Sequence, residues 1–60
     1  MITVKFIFKN KPEEIYKVKA VQHDENTNTF ELGEMKITLE KDDVCEVINA
    51  KGLVTTYKGK

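Results

Sequence analysis

The 60-residue chain has no arginine, no serine and no tryptophan, and it has one cysteine, one proline and one histidine. Each scarcity closes a class of chemistry. Without serine there is no serine nucleophile. Without arginine there is no planar guanidinium fork to grip a phosphate or a guanine edge; every positive side chain is a lysine, a point charge on a flexible stem. Cys45 stands alone, so no disulfide within the chain can staple the fold, and one cysteine with one histidine cannot build a structural zinc site. A lone cysteine fits a reducing compartment. No apolar run is long enough to cross a bilayer as a helix and no signal peptide is evident, so the expectation is a soluble, cytoplasmic protein with no membrane partner.

A chain of this length makes a single domain, residues 1–60, and buries only about 60% of the surface its unfolded form exposes. Its core is therefore thin. With disulfide and zinc excluded, the remaining sources of stability are a very regular sheet or oligomerisation, a dimer being favoured. Ten lysines balance ten acids, but not evenly. Residues 1–23 carry five lysines against two glutamates, residues 24–46 carry eight acids against two lysines, and residues 47–60 carry three lysines and no acid. The chain is basic at both ends and acidic in the middle.

What is present is a β pattern, most sharply in Thr29–Glu40. A turn at Gly33-Glu34 puts Leu32 opposite Met35 and Phe30 opposite Ile37 on one face. The same fold point puts Glu31 opposite Lys36 and Thr29 opposite Thr38 on the other. Glycine at the first central position suits a type II′ turn, which needs φ > 0 there. A slip of one residue would spoil both faces.

The rest of the chain is consistent with short strands. Residues 2–9 alternate, with Ile2, Val4, Phe6 and Phe8 on one side, and the stretch ends before Asn10-Lys11-Pro12, where proline removes a donor. Residues 14–22 predict a second strand, with Val21 out of phase and a bulge or change of face near Ala20. One register for this first hairpin sets Phe6 opposite Tyr16, Val4 opposite Val18 and, at a cost, Lys5 opposite Lys17. His23–Asn28 reads as a polar loop. Lys41-Asp42-Asp43 reads as a tight turn with an aspartate capping backbone donors, from which Val44 plugs the core. Residues 44–49 and 53–57 form a last hairpin around Ala50-Lys51-Gly52, pairing Cys45 with Tyr57, Val47 with Thr55 and Ile48 with Val54. Lys58-Gly59-Lys60 is expected to fray.

The fold class is thus all-β: five to six short antiparallel strands in meander order. The succession of a long first connection, hairpins, a short turn and a further strand over residues 1–49 is similar to SH3-like small barrels. That resemblance implies a rolled barrel; the alternative is a curved open sheet that closes by dimerisation. The aromatic groove such domains use for proline-rich peptides is not evident, with two tyrosines and no tryptophan.

Candidate chemistry is sparse. Asp24-Glu25-Asn26-Thr27-Asn28 starts like a calcium loop, but the template's sixth position, which needs glycine, is Thr29, and its twelfth, which needs glutamate, is Met35. No metal or cofactor is expected. Nothing in their spacing makes Cys45 and His23 neighbours, and Cys45 in a β pattern is expected to be a buried structural thiol. Asp42 and Asp43 are adjacent and do not converge across a cleft. No catalytic residue is assigned, and the chain is not expected to be an enzyme.

Three surfaces remain. Ile7, Ile15, Val21, Ile48 and Val54 fall on the strand face away from the main core residues and could form an apolar patch for another protein or a second copy. Asp24, Glu25, Glu31, Glu34 and Glu40 form an acidic surface for a basic partner. Lys5, Lys9, Lys17 and Lys19 offer a stripe for nucleic acid, in the manner of small barrels that stack bases over a basic groove. The first expectation is a non-enzymatic protein-interaction module, or a small inhibitor or accessory protein acting by surface complementarity. The Lys/Asn/Ile-rich, arginine-free composition is compatible with a phage or mobile-element origin. A nucleic-acid-binding small β-barrel is the alternative.

Overall fold

The computed structural model describes residues 1–60 and contains no helix. Seven strands form two antiparallel sheets. The first sheet has the order β2-β1-β6-β7, from β1 (Ile2–Ile7), β2 (Glu14–Val18), β6 (Val44–Ile48) and β7 (Val54–Lys58). The second has the order β3-β4-β5, from β3 (Gln22–Asp24), β4 (Thr29–Leu32) and β5 (Met35–Thr38). Every hairpin is local; the one long-range pairing is β1 with β6, which sets Phe6 opposite Cys45 and Val4 opposite Val47. That pairing departs from a pure meander.

The Gly33-Glu34 hairpin has the expected register at all four positions. Gly33 takes φ 65° while Glu34 stays at negative φ, as a type II′ turn requires. The β6–β7 hairpin also pairs as expected, with Gly52 at φ 87° and the Asn49 side chain accepting from the N–H groups of Lys51 and Leu53.

Elsewhere the structure corrects the sequence reading. Residues 14–22 are not one strand: β2 ends at Val18, the chain crosses between the sheets, and Gln22–Asp24 starts the second sheet. This crossing explains why Val21 is out of phase. It turns inward and packs against the core. The extra strand β3 takes the count from six to seven and absorbs His23, which was expected in a loop. The first hairpin sits two residues from the expected register, with Val4 opposite Tyr16, Ile2 opposite Val18 and Lys5 opposite Ile15. A shift of two keeps every side chain on its face but separates Lys5 from Lys17, and Lys5 instead reaches Glu13 at 3.6 Å. β1 ends at Ile7 instead of residue 9. Val44 does not plug the core. It faces outward opposite Ile7, and Cys45 takes the buried position.

The core lies between the sheets: Val4, Phe6 and Cys45 from the first, Phe30 and Leu32 from the second, and Leu39 from the connection that follows β5. Phe30 joins the layers. Its ring stands edge-on to Phe6 at 5.7 Å and to Tyr57 at 5.0 Å, and His23 stacks on it at 4.4 Å.

Asp43 ties the chain ends together. Its carboxylate accepts the N–H of Lys9 at 3.1 Å and of Glu40 at 3.0 Å; its own N–H donates to the Glu40 carbonyl, and its carbonyl accepts Gly59 N–H at 2.7 Å. Asp42 supplies the left-handed turn residue, φ 72°. The tail is therefore held, not frayed. A Cβ on Gly59 would run into the Glu40 carbonyl.

Gly59→Ala must displace backbone and should lower stability by about 1–3 kcal/mol in denaturant titration, as overpacking does, whereas Gly52→Ala, which meets no atoms, should carry only the strain of its positive φ. The N–H groups of Lys9 and then Glu40 hold the Asp43 carboxyl below its ordinary 3.8. Its contribution is therefore present at neutral pH and lost as pH falls through the depressed folded value. Acid unfolding below pH ~4 should be steeper for the wild type than for Asp43→Asn, which is weaker at neutral pH and has no carboxylate to lose.

Candidate functional site

The alternation that buries Val4 and Phe6 turns Thr3, Lys5 and Ile7 outward, and pairing carries the same parity across the four-stranded sheet. Three rows cross its outer face: Lys17–Thr3–Ile48–Val54, Ile15–Lys5–Glu46–Thr56, and Ile7–Val44–Lys58. Ile7, Ile15, Ile48 and Val54 thus share this face, and Val21, inside the molecule, leaves the set. Ile15 is 55% exposed, Val54 54% and Ile7 37%, and Leu53 at the hairpin loop is 66% exposed. Ile48 and Val44 are half-buried by neighbours. The apolar residues form two clusters, Ile48–Val54 at one end and Ile7–Val44 at the other. The Lys5–Glu46 row runs between them.

The acidic set does not form one patch. Asp24, Glu25 and Glu31 lie around the outer face of the three-stranded sheet, a shallow polar depression with no apolar lining. Glu31 is matched by Lys36 at 3.2 Å, and the Asp24 carboxylate accepts the Asn26 N–H at 2.9 Å. Glu34 sits at the hairpin tip and Glu40 in the turn closed by Asp43. Proximity in sequence became separation in space because a hairpin sends its tip and its ends to opposite edges of the sheet.

The lysines are also divided. Lys5 and Lys17 share the outer face diagonally, but Lys5 is paired with Glu13, and Lys9 with Asp42 at 3.3 Å. Lys19 lies past the end of β2, beside Ala20, Met1 and Gly33. Lys17 and Lys19 have no acidic partner within ion-pair distance. The rings a nucleic acid would stack on are occupied: Phe6 and Phe30 are fully buried, and Phe8 is covered by the Lys11 ammonium at 4.4 Å.

Cys45 is fully buried, and burial, with Glu46 beside it, pushes its thiol up to about 12, which keeps it protonated at neutral pH. Asp42 and Asp43 diverge, one to the Lys9 ammonium and one to backbone donors. The Tyr16 hydroxyl donates to Glu14, and that bond raises its pKa. No three metal-ligating side chains converge.

The constellation that sequence reasoning missed is around His23. Its ring packs against both Phe30 and Tyr57, 4.6 Å from the latter, in a three-ring cluster, and its Nε2 lies 2.8 Å from Asn28 Oδ1. Asn28 Nδ2 donates to the Lys58 carbonyl at 3.1 Å. A carbonyl can only accept, so this bond fixes the amide orientation and turns Oδ1 toward His23. Neutral His23 must then carry its proton on Nε2. Asn28, at φ 55°, is the residue type that tolerates this left-handed position while offering both groups. The available signal was the placing of His23 and Phe30 on either side of the turn-rich Asp24–Asn28 stretch.

No protein-family model, curated protein or solved structure matches this chain.

Long-range ¹H–¹⁵N correlation should show neutral His23 as the Nε2–H tautomer. Asn28→Ala, which loses both bonds and strains the backbone, should remove that preference and lower stability by about 1–3 kcal/mol.

Proposed function

We propose that the chain is a non-enzymatic protein-interaction module whose working surface is the outer face of the four-stranded sheet. The observation that carries this reading is the exposure of Ile7, Ile15 and Val54 on one face of a chain with only six buried apolar residues. A protein this small that leaves such side chains in water gains stability when a partner covers them. Lys5 and Glu46 between the apolar clusters, with Lys17 and Lys58 at the ends of the clusters' own rows, supply the polar contacts that fix register with a partner. In this reading the two sheets close as a small SH3-like barrel. The chain works in the cytoplasm as an inhibitor or accessory protein, and its arginine-free composition suits a phage or mobile element.

The second reading, single-stranded nucleic acid, is favoured by Lys17 and Lys19, which lack acidic partners. It is weakened by the burial of Phe6 and Phe30.

Affinity capture from cells that make the chain, followed by titration of the captured protein, separates the two. Ile7→Gln with Ile15→Glu should weaken that binding about tenfold or more, as loss of apolar anchors does. Equal binding by this double variant would sink the reading. Salt-dependent binding to single-stranded oligonucleotides, abolished in Lys17→Glu with Lys19→Glu, would establish the second reading instead.

A further inference from the structure

The outer face concerns side chains; the backbone at the margin of the same sheet carries a separate message. The Gly59 N–H donates to the Asp43 carbonyl and the Asn49 N–H to the Leu53 carbonyl. With the β6–β7 register, these bonds fix which residues of β7 turn their backbone toward β6: Leu53, Thr55, Tyr57 and Gly59. Val54, Thr56 and Lys58 therefore present their N–H and C=O groups to the free edge. Only the Lys58 carbonyl has a partner there, the Asn28 amide, and a carbonyl can accept a second bond.

The other three edges are blunted. β3 has three residues and β5 has four, with Lys36 among them; β2 carries Glu14 and Lys17 and follows Pro12. β7 has five residues in unbroken register, three of them β-branched, with its only charge at the last position.

We propose that β7 is a self-association edge, on which a second copy of this chain pairs antiparallel about Thr56 to make one continuous eight-stranded sheet. The dyad position follows from the number of backbone bonds it closes. Centres at Thr55 or Tyr57 fall on non-hydrogen-bonded pairs and join the two Val54–Lys58 segments by four hydrogen bonds, against six about Thr56. A centre at Lys58 sets two ammoniums opposite each other, and a centre at Val54 brings the Gly52 turn into the ladder. About Thr56, Val54 faces the second copy's Lys58, Thr55 its Tyr57, and Thr56 its own equivalent, so no like charges meet. Thr56 closes two hydrogen bonds with its equivalent, and each Val54–Lys58 position closes a further pair.

The pairing also resolves the division of the outer face. The row Ile7–Val44–Lys58 of one copy continues into Val54–Ile48 of the other, so the two apolar clusters become one band with the Lys58 stem lying across it. This goes beyond the proposed function, since it holds whichever partner the outer face takes.

Sedimentation over a concentration series from micromolar to millimolar should show twice the 6.9 kDa chain mass at the upper end. Amide exchange of the wild type should slow with concentration at Val54, Thr56 and Lys58 and at no β2 or β5 amide. Thr56→Glu lines up four carboxylates across the dyad, with Glu46 from each copy, and should raise the dimer dissociation constant about tenfold or more. Mixing it with Thr56→Lys should restore the dimer. A wild type that stays at single-chain mass, or a dimer unaffected by Thr56→Glu, overturns the proposal. So does concentration-dependent protection on any other edge. The Ile7→Gln, Ile15→Glu variant should still dimerise, which separates this result from the fate of the proposed function.

Discussion

The structure depends on Phe30. Six apolar side chains are buried, five of them from two sheets that share no strand and the sixth, Leu39, from the connection after β5. Phe30 is the one whose ring touches aromatic partners on both: His23 within its own sheet, and Phe6 and Tyr57 across the gap. In a larger domain one ring is a fraction of the core. In a chain of this size, removing such a ring costs about 3–5 kcal/mol, comparable with the whole stability expected of it, about 3–9 kcal/mol. The left-handed residues of the second sheet, Gly33 and Asn28, serve this contact by bringing β5 and β3 alongside β4 at the register that aims Phe30 inward.

Asp43 plays the corresponding part at the periphery. Its carboxylate and backbone gather the end of β1, the turn before β6 and the C-terminal Gly59. These are segments far apart in sequence, and a polar cluster at the rim holds them where the core is too thin to do so. The same cluster sets the end of β7, so the stabilising device and the proposed association edge are adjacent.

The exposed surfaces follow from how little can be buried. A four-stranded sheet has two faces, and the chain has a single core, so the outer face keeps Ile7, Ile15 and Val54 in water. Acidic and basic runs that look concentrated in the sequence are dispersed by hairpin geometry or neutralised in pairs such as Glu31–Lys36 and Lys9–Asp42. What survives is an apolar set interrupted by charge, and the proposed protein-interaction role rests on it.

Local chemistry was legible wherever one turn decided the outcome. Gly33-Glu34 and Ala50-Lys51-Gly52 fixed two registers because glycine sits where φ must be positive, and alternation placed Val4, Phe6, Phe30 and Cys45 inside. The two-residue shift of the first hairpin was not legible, because a shift of two leaves every side chain on the same face and alternation cannot detect it. Nor was β3, since Gln22-His23-Asp24 is polar and becomes a strand only by pairing with β4 and resting His23 on Phe30. The amino-acid sequence by itself determined the all-β class, the inward faces and the turns, since period and φ are local properties. Only the tertiary structure decided that β1 pairs with β6, that Val21 turns inward, that His23 is part of the core's wall, and which edge is left open. Those outcomes depend on which distant surfaces meet, and no local preference encodes that.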